Sequence, residues 1–402
     1  MKQAAGIAEE NTQGYTLEQV LSAALSQQQA IAVWRLPLQT EVQACIAFAP
    51  QTTAAIPELE PSPAGFLFCP FVTDGAESNI FLKADISYNS FTRQLSTAPD
   101  APTEKVSLFI EAIAQVENGK PAAWSTPANP ARHTDRNEET FIAAVSLAVD
   151  VIRAEAMEKV VLSRINTSPL PDAFSLHKAF EKMQSSYPNA FVSLVAIPGV
   201  GTWLGASPEI LVSVDQQQVF KTVALAGTQP ACEDGSTANA IWRQKEIEEQ
   251  GMVERYVLSC FKKLRLREYS EVGPRTVIAG NLMHLRTDFK VDLKEVDFPT
   301  LGTDMLRLLH PTSAVCGLPK EPALRFILDH EGYDRSYYSG FLGPVNSIAG
   351  THLFVNLRCM QLLEHEAVLY AGAGITGESS PEKEWQETQH KLQTMGKILS
   401  DF

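Results

Sequence analysis

Long hydrophobic runs are absent from this 402-residue sequence. No apolar stretch reaches the roughly 18 uninterrupted residues that a membrane span requires. The first fifteen or so residues, up to Tyr15, contain no apolar segment of the kind found in a signal peptide. These two absences predict a soluble, cytoplasmic protein that has no membrane partner.

Positive charge is also scarce. The chain has 33 Lys and Arg residues against 47 Asp and Glu residues, which gives a formal net charge of −14. A chain this acidic is a poor ligand for nucleic acid or for an anionic membrane surface. If the substrate is itself an anion, its pocket must therefore be locally positive within a negative overall field.

Cysteine is sparse and scattered. The six cysteines form no close pair of the kind that zinc sites and redox motifs use, and they are Cys45, Cys69, Cys232, Cys260, Cys316 and Cys359. Their spacing predicts free thiols in a reducing compartment. Short repeats and heptad runs are also missing. The sequence does not indicate an oligomeric state, and a monomer is the default expectation.

The apolar pattern divides the chain near residue 137. Residues 119–136 are rich in Pro, Ala, Asn and Thr and are expected to form a linker. We therefore expect an amino-terminal part over residues 1–136 and a catalytic region over residues 137–402. A helix is predicted from Asn137 to about Met157, because apolar residues recur there at helical spacing.

Beyond that helix, runs of β-branched and aromatic residues alternate with helical patterns. Strands are predicted at residues 160–164, 190–197, 203–205, 210–214, 219–225, 276–279, 353–363 and 367–371, and in the first part at 64–70 and 79–84. Helices are predicted at residues 174–184, 238–263, 301–309, 322–330 and 382–398. The pattern indicates a mixed α/β fold, or an α+β fold with large antiparallel sheets.

Two pairs of glutamates stand out. Glu246 and Glu249 lie three residues apart on one predicted helix, and Glu384 and Glu387 lie three apart on the last one. This spacing puts both carboxylates of a pair on the same helix face. Two such pairs facing each other can hold a hard divalent cation such as Mg²⁺. A solvated acidic face remains the alternative.

Two ionisable residues sit beside apolar strands. Lys159 precedes three apolar residues, and a buried lysine can lose its proton and act as a base. Glu209 lies between a strand end and an apolar run, and burial can keep a glutamate protonated so that it acts as an acid. A lysine that extends its ammonium group to water and a charge at a strand edge are the alternatives.

Further candidates are weaker when taken singly. Gly372 and Gly374 follow apolar strand residues and can let main-chain N–H groups approach an anion, although a bulge or tight turn fits equally well. Arg358 and Lys391 are cations able to grip carboxylates, or surface charges. His284, between apolar residues, can donate a hydrogen bond in a pocket or be a satisfied core histidine.

Taken in order, these segments resemble the chorismate-utilising enzymes, the family of isochorismate, salicylate, anthranilate and aminodeoxychorismate synthases. The resemblance covers roughly residues 140 to 400. The matching stretches are Lys159-Val-Val-Leu-Ser-Arg, Gly205-Ala-Ser-Pro-Glu, Leu225-Ala-Gly-Thr, Lys245-Glu-Ile-Glu-Glu, Leu309-His-Pro-Thr, Cys316-Gly-Leu-Pro-Lys, Tyr338-Ser-Gly-Phe-Leu-Gly, Asn356-Leu-Arg-Cys, Tyr370-Ala-Gly-Ala-Gly-Ile and Ser380-Pro-Glu-Lys-Glu-Trp-Gln-Glu-Thr.

The resemblance implies a fold of two αβ halves with large packed sheets and helices outside, and residues 1–136 are expected to be a variable amino-terminal part of the same fold. It implies chorismate as the substrate, Mg²⁺ as the cofactor, Lys159 as the base that activates water and Glu209 as the acid. The implied metal ligands are Glu246, Glu249, Glu384 and Glu387. The implied substrate-binding residues are Gly227, Thr228, His284, Ala314, Tyr338, Arg358, Gly372, Gly374 and Lys391.

Three positions favour isochorismate synthase within that family. This chain has Ala226 at a position where sequences similar to aminodeoxychorismate synthases have a lysine. Anthranilate-type enzymes have no lysine at the position of Lys159. Ala314 replaces a threonine associated with salicylate formation. Salicylate synthase and a catalytically inactive binding relative remain the alternatives. One departure is Gln250, since the family usually has a histidine after the glutamate at 249.

Overall fold

The computed structural model describes residues 14–73, 78–116, 123–128, 137–231, 236–237, 240–279 and 282–402. Most of the predicted linker lies outside the described residues. So does the predicted start of the helix at residue 238. None of the helices in the described ranges is long and apolar enough to cross a membrane.

Helices occupy both ends of the chain and its middle. Within the described residues they are α1 (Leu17–Ser26), α2 (Thr103–Gln115), α3 (Glu138–Arg153), α4 (Leu176–Ser186), α5 (Gln244–Lys263), α6 (Leu293–Val296), α7 (Leu301–Leu309), α8 (Lys320–His330) and α9 (Pro381–Ser400). The side chain of Asn137 accepts a hydrogen bond from the N–H of Thr140 and caps α3, as the predicted helix start requires.

The described residues also contain nineteen strands. They are β1 (Ala30–Arg35), β2 (Gln43–Ala47), β3 (Gln51–Thr53), β4 (Gly65–Cys69), β5 (Asn79–Lys83), β6 (Ile86–Asn89), β7 (Gln94–Thr97), β8 (Lys159–Pro169), β9 (Phe191–Ile197), β10 (Gly201–Ser207), β11 (Ile210–Asp215), β12 (Val219–Pro230), β13 (Ser270–Ala279), β14 (Leu282–Asp292), β15 (Gly317–Leu318), β16 (Phe341–Val345), β17 (Gly350–Val355), β18 (Cys359–Leu362) and β19 (Glu366–Ile375).

These strands form two large antiparallel sheets. The ten-stranded sheet has the order β15-β8-β19-β18-β10-β9-β1-β2-β6-β7, and the nine-stranded sheet has the order β13-β14-β12-β11-β17-β16-β4-β5-β3. The part of the chain before residue 137 supplies strands to both sheets. The predicted fold of helices combined with large antiparallel sheets is confirmed.

The two sheets pack face to face, and helices cover their outer faces. Trp34, Phe68, Trp203 and Phe354 belong to the aromatic core between the sheets. Helices α1, α2, α4 and α9 cover the ten-stranded sheet, and α5 and α7 cover the nine-stranded one. Strands β4, β9 and β10 are buried at every position because both of their faces are covered.

Two of the connections that carry the chain from one sheet to the other lie side by side. Glu209 lies in the first, between β10 of the ten-stranded sheet and β11 of the nine-stranded sheet. The second leads from β17 to β18 and contains Arg358, whose φ is 48°. Main-chain hydrogen bonds tie the two connections together, from Val355 N to Glu209 O at 3.0 Å and from Ala206 N to Arg358 O at 3.0 Å. This arrangement brings an acid and a guanidinium together where the sheets meet.

Three predicted boundaries are wrong. The single strand expected over residues 353–363 is two strands of different sheets, which apolar periodicity does not separate because both are buried. Helix α3 ends at Arg153 rather than near Met157. Helix α5 begins at Gln244, and residues 240–243 are not helical. The other predicted strands and helices agree with the structure to within a few residues at their ends, apart from strands that extend further, such as β12 and β13.

Candidate active site

One cavity lies where the two crossing connections meet the helices α5 and α9. Most of the predicted site residues line it, namely Glu209, Gly227, Thr228, Glu249, His284, Ala314, Tyr338, Arg358, Gly372, Gly374, Glu387 and Lys391. Lys159 contacts one of these lining residues, Glu249. Glu246 and Glu384 are the two predicted residues that neither line the cavity nor contact Lys159.

Lys159 is the first residue of β8 and is fully buried. Its Nζ lies 2.8 Å from Oε1 of Glu249 on α5. A buried charge requires such a partner, because removal from water is costly. Burial raises the pKa of Glu249, but the charge and hydrogen bond of Lys159 outweigh it, and the pKa stays below its ordinary value. The lysine therefore points into the site rather than towards water.

Glu209 is held inside the first crossing connection and is only 5% exposed. Burial raises its pKa to about 7, against the opposing effects of a hydrogen bond from Thr312 and the charges of Lys159, Lys391 and Arg358. The hydroxyl of Thr312 donates to Oε1 of Glu209 at 3.4 Å. A carboxyl group with this pKa carries its proton for much of the time near neutral pH, which suits a proton donor.

Two cations line the same cavity in different states. Lys391 Nζ lies 2.6 Å from Oε1 of Glu387 and donates to the carbonyl of Gly372 at 2.9 Å. Arg358 makes no ion pair within the described residues, and its buried Nη1 has no hydrogen-bond partner there. A guanidinium is always charged, so an unpaired one beside a cavity is suited to bind an anionic ligand.

His284 is neutral and presents a hydrogen-bond acceptor. Burial, with the charges of Arg358 and Lys391, lowers its pKa to about 3. Its Nδ1 lies 2.9 Å from the carbonyl oxygen of Gly227, so this nitrogen must carry the proton and donate. The buried Nε2 has no partner among the described residues and offers a lone pair. The N–H group of His284, which the sequence suggested as a donor to a ligand, donates to Gly227 instead. Its Nε2 remains able to accept a hydrogen bond from a ligand.

Gly227 occupies an irregular turn of β12. The register of β12 against β14 shifts between Ala226 and Gln229, and Gly227 has a φ of +65°. A Cβ at this position would also lie 3.2 Å from the Cβ of Glu246. Glycine is therefore required both for the backbone conformation and for the close approach of α5.

Gly372 and Gly374 lie inside β19, opposite Ser163 and Val161 of β8. Neither the turn nor the bulge considered from the sequence is formed here. A Cβ at Gly374 would stand 2.3 Å from Oε1 of Glu249, and a Cβ at Gly372 would stand 3.1 Å from the hydroxyl oxygen of Tyr338. These glycines make room for side chains of the site.

Gly374→Ala is therefore expected to lower catalytic activity by at least tenfold. The added methyl group occupies the space of the Glu249 carboxylate and also presses on Lys159 Cε at 3.1 Å. Steady-state kinetics would measure the loss, with circular dichroism to confirm folding. Gly396→Ala on α9 is the matched control, since a Cβ there meets nothing within 4 Å. Full activity of Gly374→Ala would contradict the placement of Glu249.

The four glutamates proposed as metal ligands do not converge on one point. Across the described ranges, no group of three or more His, Cys, Asp or Glu side chains is placed to hold a metal ion. Glu249 pairs with Lys159, Glu387 pairs with Lys391, and Glu384 pairs with Lys245. Glu246 accepts a hydrogen bond from the N–H of Arg243 at 2.8 Å at the start of α5.

Burial raises the pKa of Glu384 to about 7, and the neighbouring charge of Glu387 adds to this effect, whereas Lys245 opposes it. The second oxygen of Glu384, Oε2, is buried and has no partner within the described part of the chain. Such an oxygen has an unused capacity to bind a cation. The donor chemistry therefore fits a hard cation, although three lysines hold the carboxylates here.

Three contacts at or near the candidate site are not predicted from the sequence. Thr312 and Lys245 lie in stretches that resemble the family, but no role was given to either residue. The buried Arg335–Glu331 pair was also missed: Arg335 donates to the carbonyl of Val161 at 2.7 Å, and the N–H of Ser163 donates to Glu331 at 2.6 Å. A charged pair in a buried stretch gives little signal in sequence, because its partners are distant along the chain.

Comparison with known proteins decides the family. Residues 38–400 match the sequence profile of a family described as chorismate binding enzyme. The chain belongs to the chorismate binding enzyme family. Enzymes of this family are generally metal-dependent. The match begins well before residue 137 and includes strands of both sheets.

Several relatives are isochorismate synthases. The chain is 28% identical over 264 residues to the vibriobactin-specific isochorismate synthase of Vibrio cholerae, and 30% identical over 263 residues to isochorismate synthase EntC of Escherichia coli. Each alignment covers 64% of this chain and 66% of the relative, a little under two-thirds of its length.

A solved structure shares the fold. It is MenF, the menaquinone-specific isochorismate synthase from Escherichia coli, at a TM-score of 0.73 and 23% identity, over 94% of this chain and 91% of that one. Anthranilate synthase component I from Streptococcus pneumoniae is also similar, with a TM-score of 0.64 and 19% identity over 91% of this chain and 89% of that one.

Proposed function

We propose that this chain is an isochorismate synthase that converts chorismate to isochorismate in a Mg²⁺-dependent reaction. Water adds at C2 of the ring and the hydroxyl group leaves from C4, so the enzyme is an isomerase. The observation that carries the proposal is the unpaired guanidinium of the half-buried Arg358, whose Nη1 is buried without a partner among the described residues, in a cavity that also holds Glu209 and is bordered by Lys159. The product would feed menaquinone or siderophore synthesis, as the names of the relatives suggest.

Recognition of a dianionic substrate depends on local positive charge in an acidic protein. Arg358 is available to bind one carboxylate of chorismate, since no carboxylate of the described residues pairs with it. Lys391 can bind the other if it leaves or shares Glu387. His284 Nε2 accepts only, so it is suited to a substrate hydroxyl group rather than to a carboxylate.

Proton transfer is assigned to two residues, a base that accepts a proton and an acid that donates one. Lys159, once it has given up the proton that pairs it with Glu249, takes a proton from the water that forms the new bond to C2. Glu209, in its protonated form, gives its proton to the C4 hydroxyl, which leaves as water while the ring double bonds shift. Burial raises the pKa of Glu209 to about 7, which keeps the proton available near neutral pH.

The residues that would hold Mg²⁺ are Glu249, Glu384 and Glu387, together with Glu246. When bound, the ion would supply positive charge that stabilises a substrate carboxylate beside these glutamates. Lys159, Lys245 and Lys391 pair with three of these carboxylates and neutralise part of their charge. Glu249 is shared between the two functions, since it also fixes the Nζ of Lys159 at 2.8 Å.

Incubation with chorismate and Mg²⁺ tests the proposal. The expected product is isochorismate in equilibrium with chorismate, identified by liquid chromatography and mass spectrometry. EDTA is expected to stop the reaction and added Mg²⁺ to restore it. Ammonium salts are expected to yield no aminated product, because water is the nucleophile.

Other outcomes of the same assay would contradict the proposal in distinct ways. Salicylate and pyruvate in stoichiometric amounts would make the protein a salicylate synthase, despite Ala314 lining the cavity. Binding of chorismate without any turnover would make it an inactive relative. Full activity after EDTA treatment would exclude the four glutamates as a required metal site.

A further inference from the structure

Lys245 joins the two helices that carry the proposed metal ligands. It lies in the first turn of α5, one residue before Glu246, and its Nζ donates a hydrogen bond to Oε1 of Glu384 on α9. The side chain of Glu384 is 2% exposed, whereas that of Lys245 is 24% exposed. Since Lys245 does not line the cavity, the proposed reaction gives it no part in binding chorismate.

The Lys245–Glu384 pair compensates a charge that is otherwise costly. A carboxylate as buried as that of Glu384 loses most of its hydration, and an unpaired buried charge is strongly destabilising. Oε2 of the same carboxylate has no partner within the described residues, so Lys245 satisfies one oxygen and leaves the other. Lys245 thus neutralises the charge of the carboxylate but leaves Oε2 able to bind a second cation.

We propose that Lys245 is a tethered cation that holds Glu384 in the metal-free enzyme and competes with Mg²⁺ for that carboxylate. This inference rests on the proposed function, in which Glu384 is a metal ligand. The ammonium group supplies part of the charge that a bound ion would bring, and the ion pair joins α5 to α9. Magnesium then binds as Nζ gives up Oε1, and the apparent affinity for Mg²⁺ is lowered by the strength of this ion pair.

The test measures Mg²⁺ binding directly, by isothermal titration calorimetry of MgCl₂ into the metal-free full-length protein. Lys245→Met keeps the length of the side chain and removes its charge. It is expected to bind Mg²⁺ about tenfold more tightly or better than the wild type, because the ammonium group no longer repels the dication or competes with it for Glu384. Lys383→Met is the matched control, since Lys383 is exposed on α9 beside Glu384, and its affinity should change by less than threefold.

Thermal unfolding gives a second readout that does not depend on catalysis. Metal-free Lys245→Met is expected to melt at a lower temperature than the wild type, because Glu384 loses its partner, and Mg²⁺ should raise its melting temperature by a larger amount. Lys245→Gln keeps a hydrogen-bond donor without the charge and serves if the methionine variant folds poorly. In a Glu384→Gln background the effect of Lys245→Met on Mg²⁺ affinity should largely disappear.

The outcomes separate this inference from the proposed function. If the wild type binds no Mg²⁺ at all, the proposed metal site itself fails. If the wild type binds Mg²⁺ and both Lys245 variants bind it equally well or more weakly, the tethered-cation role is wrong. A raised KM for chorismate with unchanged Mg²⁺ affinity would also overturn it and would make Lys245 a substrate-binding residue instead.

Discussion

Lys159→Met is expected to lower the turnover number for chorismate by about 10²–10⁴-fold, the usual range for loss of a general base. Methionine fills much of the space of the fully buried lysine side chain but cannot take a proton from water. Steady-state kinetics of isochorismate formation would measure the loss. Chorismate binding, followed by calorimetry, is expected to persist because Arg358 and Lys391 are unchanged.

The control for this variant is Lys178→Met, which removes an exposed lysine from α4, away from the cavity. Its turnover should match the wild type. Lys159→Met also leaves Glu249 without its ion-pair partner, so folding should be checked by circular dichroism and by melting temperature. Turnover within threefold of the wild type in a folded Lys159→Met variant would rule out Lys159 as the base.

Glu209→Gln is expected to reduce kcat/KM by about 10²-fold or more, since the amide cannot protonate the departing hydroxyl group. The wild-type kcat/KM should fall above about pH 7, where Glu209 loses its proton. The variant should lack this alkaline limb. Glu384 also has a raised pKa of about 7, so a limb that survives in Glu209→Gln would be assigned to Glu384 instead.

Glu209→Gln is expected to lower activity but to raise thermal stability at high pH. Folding raises the pKa of Glu209 from 4.5 to about 7. Glu209 therefore contributes to the free energy of unfolding below pH 4.5, where it is protonated in both states, and this contribution is lost as pH rises through 7. Above pH 7 the buried group must be charged, which is a penalty on the folded state. Glu209→Gln removes this penalty, so the variant should melt at a higher temperature than the wild type at pH 8. At pH 4.5 the two should differ less. An equal shift at both pH values would contradict the burial of a titrating carboxyl group.

Local sequence determined much of the secondary structure. Helix α7 and strands β9, β11 and β19 follow from apolar periodicity and from the residues that bound each run, as helix α3 does at its start. The break between β17 and β18 did not, because a buried strand on either side of Arg358 gives one continuous apolar pattern. The sequence also did not predict which strands pair, such as β1 with β9, since pairing and register depend on contacts between residues that are distant along the chain.

Ordered motifs determined the family and predicted the candidate site residues, because the types and order of residues such as Lys159, Glu209 and Arg358 are properties of the chain itself. Only the tertiary structure decided their state. The ion pairs of Lys159, Lys245 and Lys391 with glutamates on α5 and α9, the unpaired guanidinium of Arg358 and the acceptor nitrogen of His284 all depend on which side chains burial brings within a few ångströms. Charge and hydrogen-bonding state are set by those neighbours and by exclusion of water, and neither is written in local sequence.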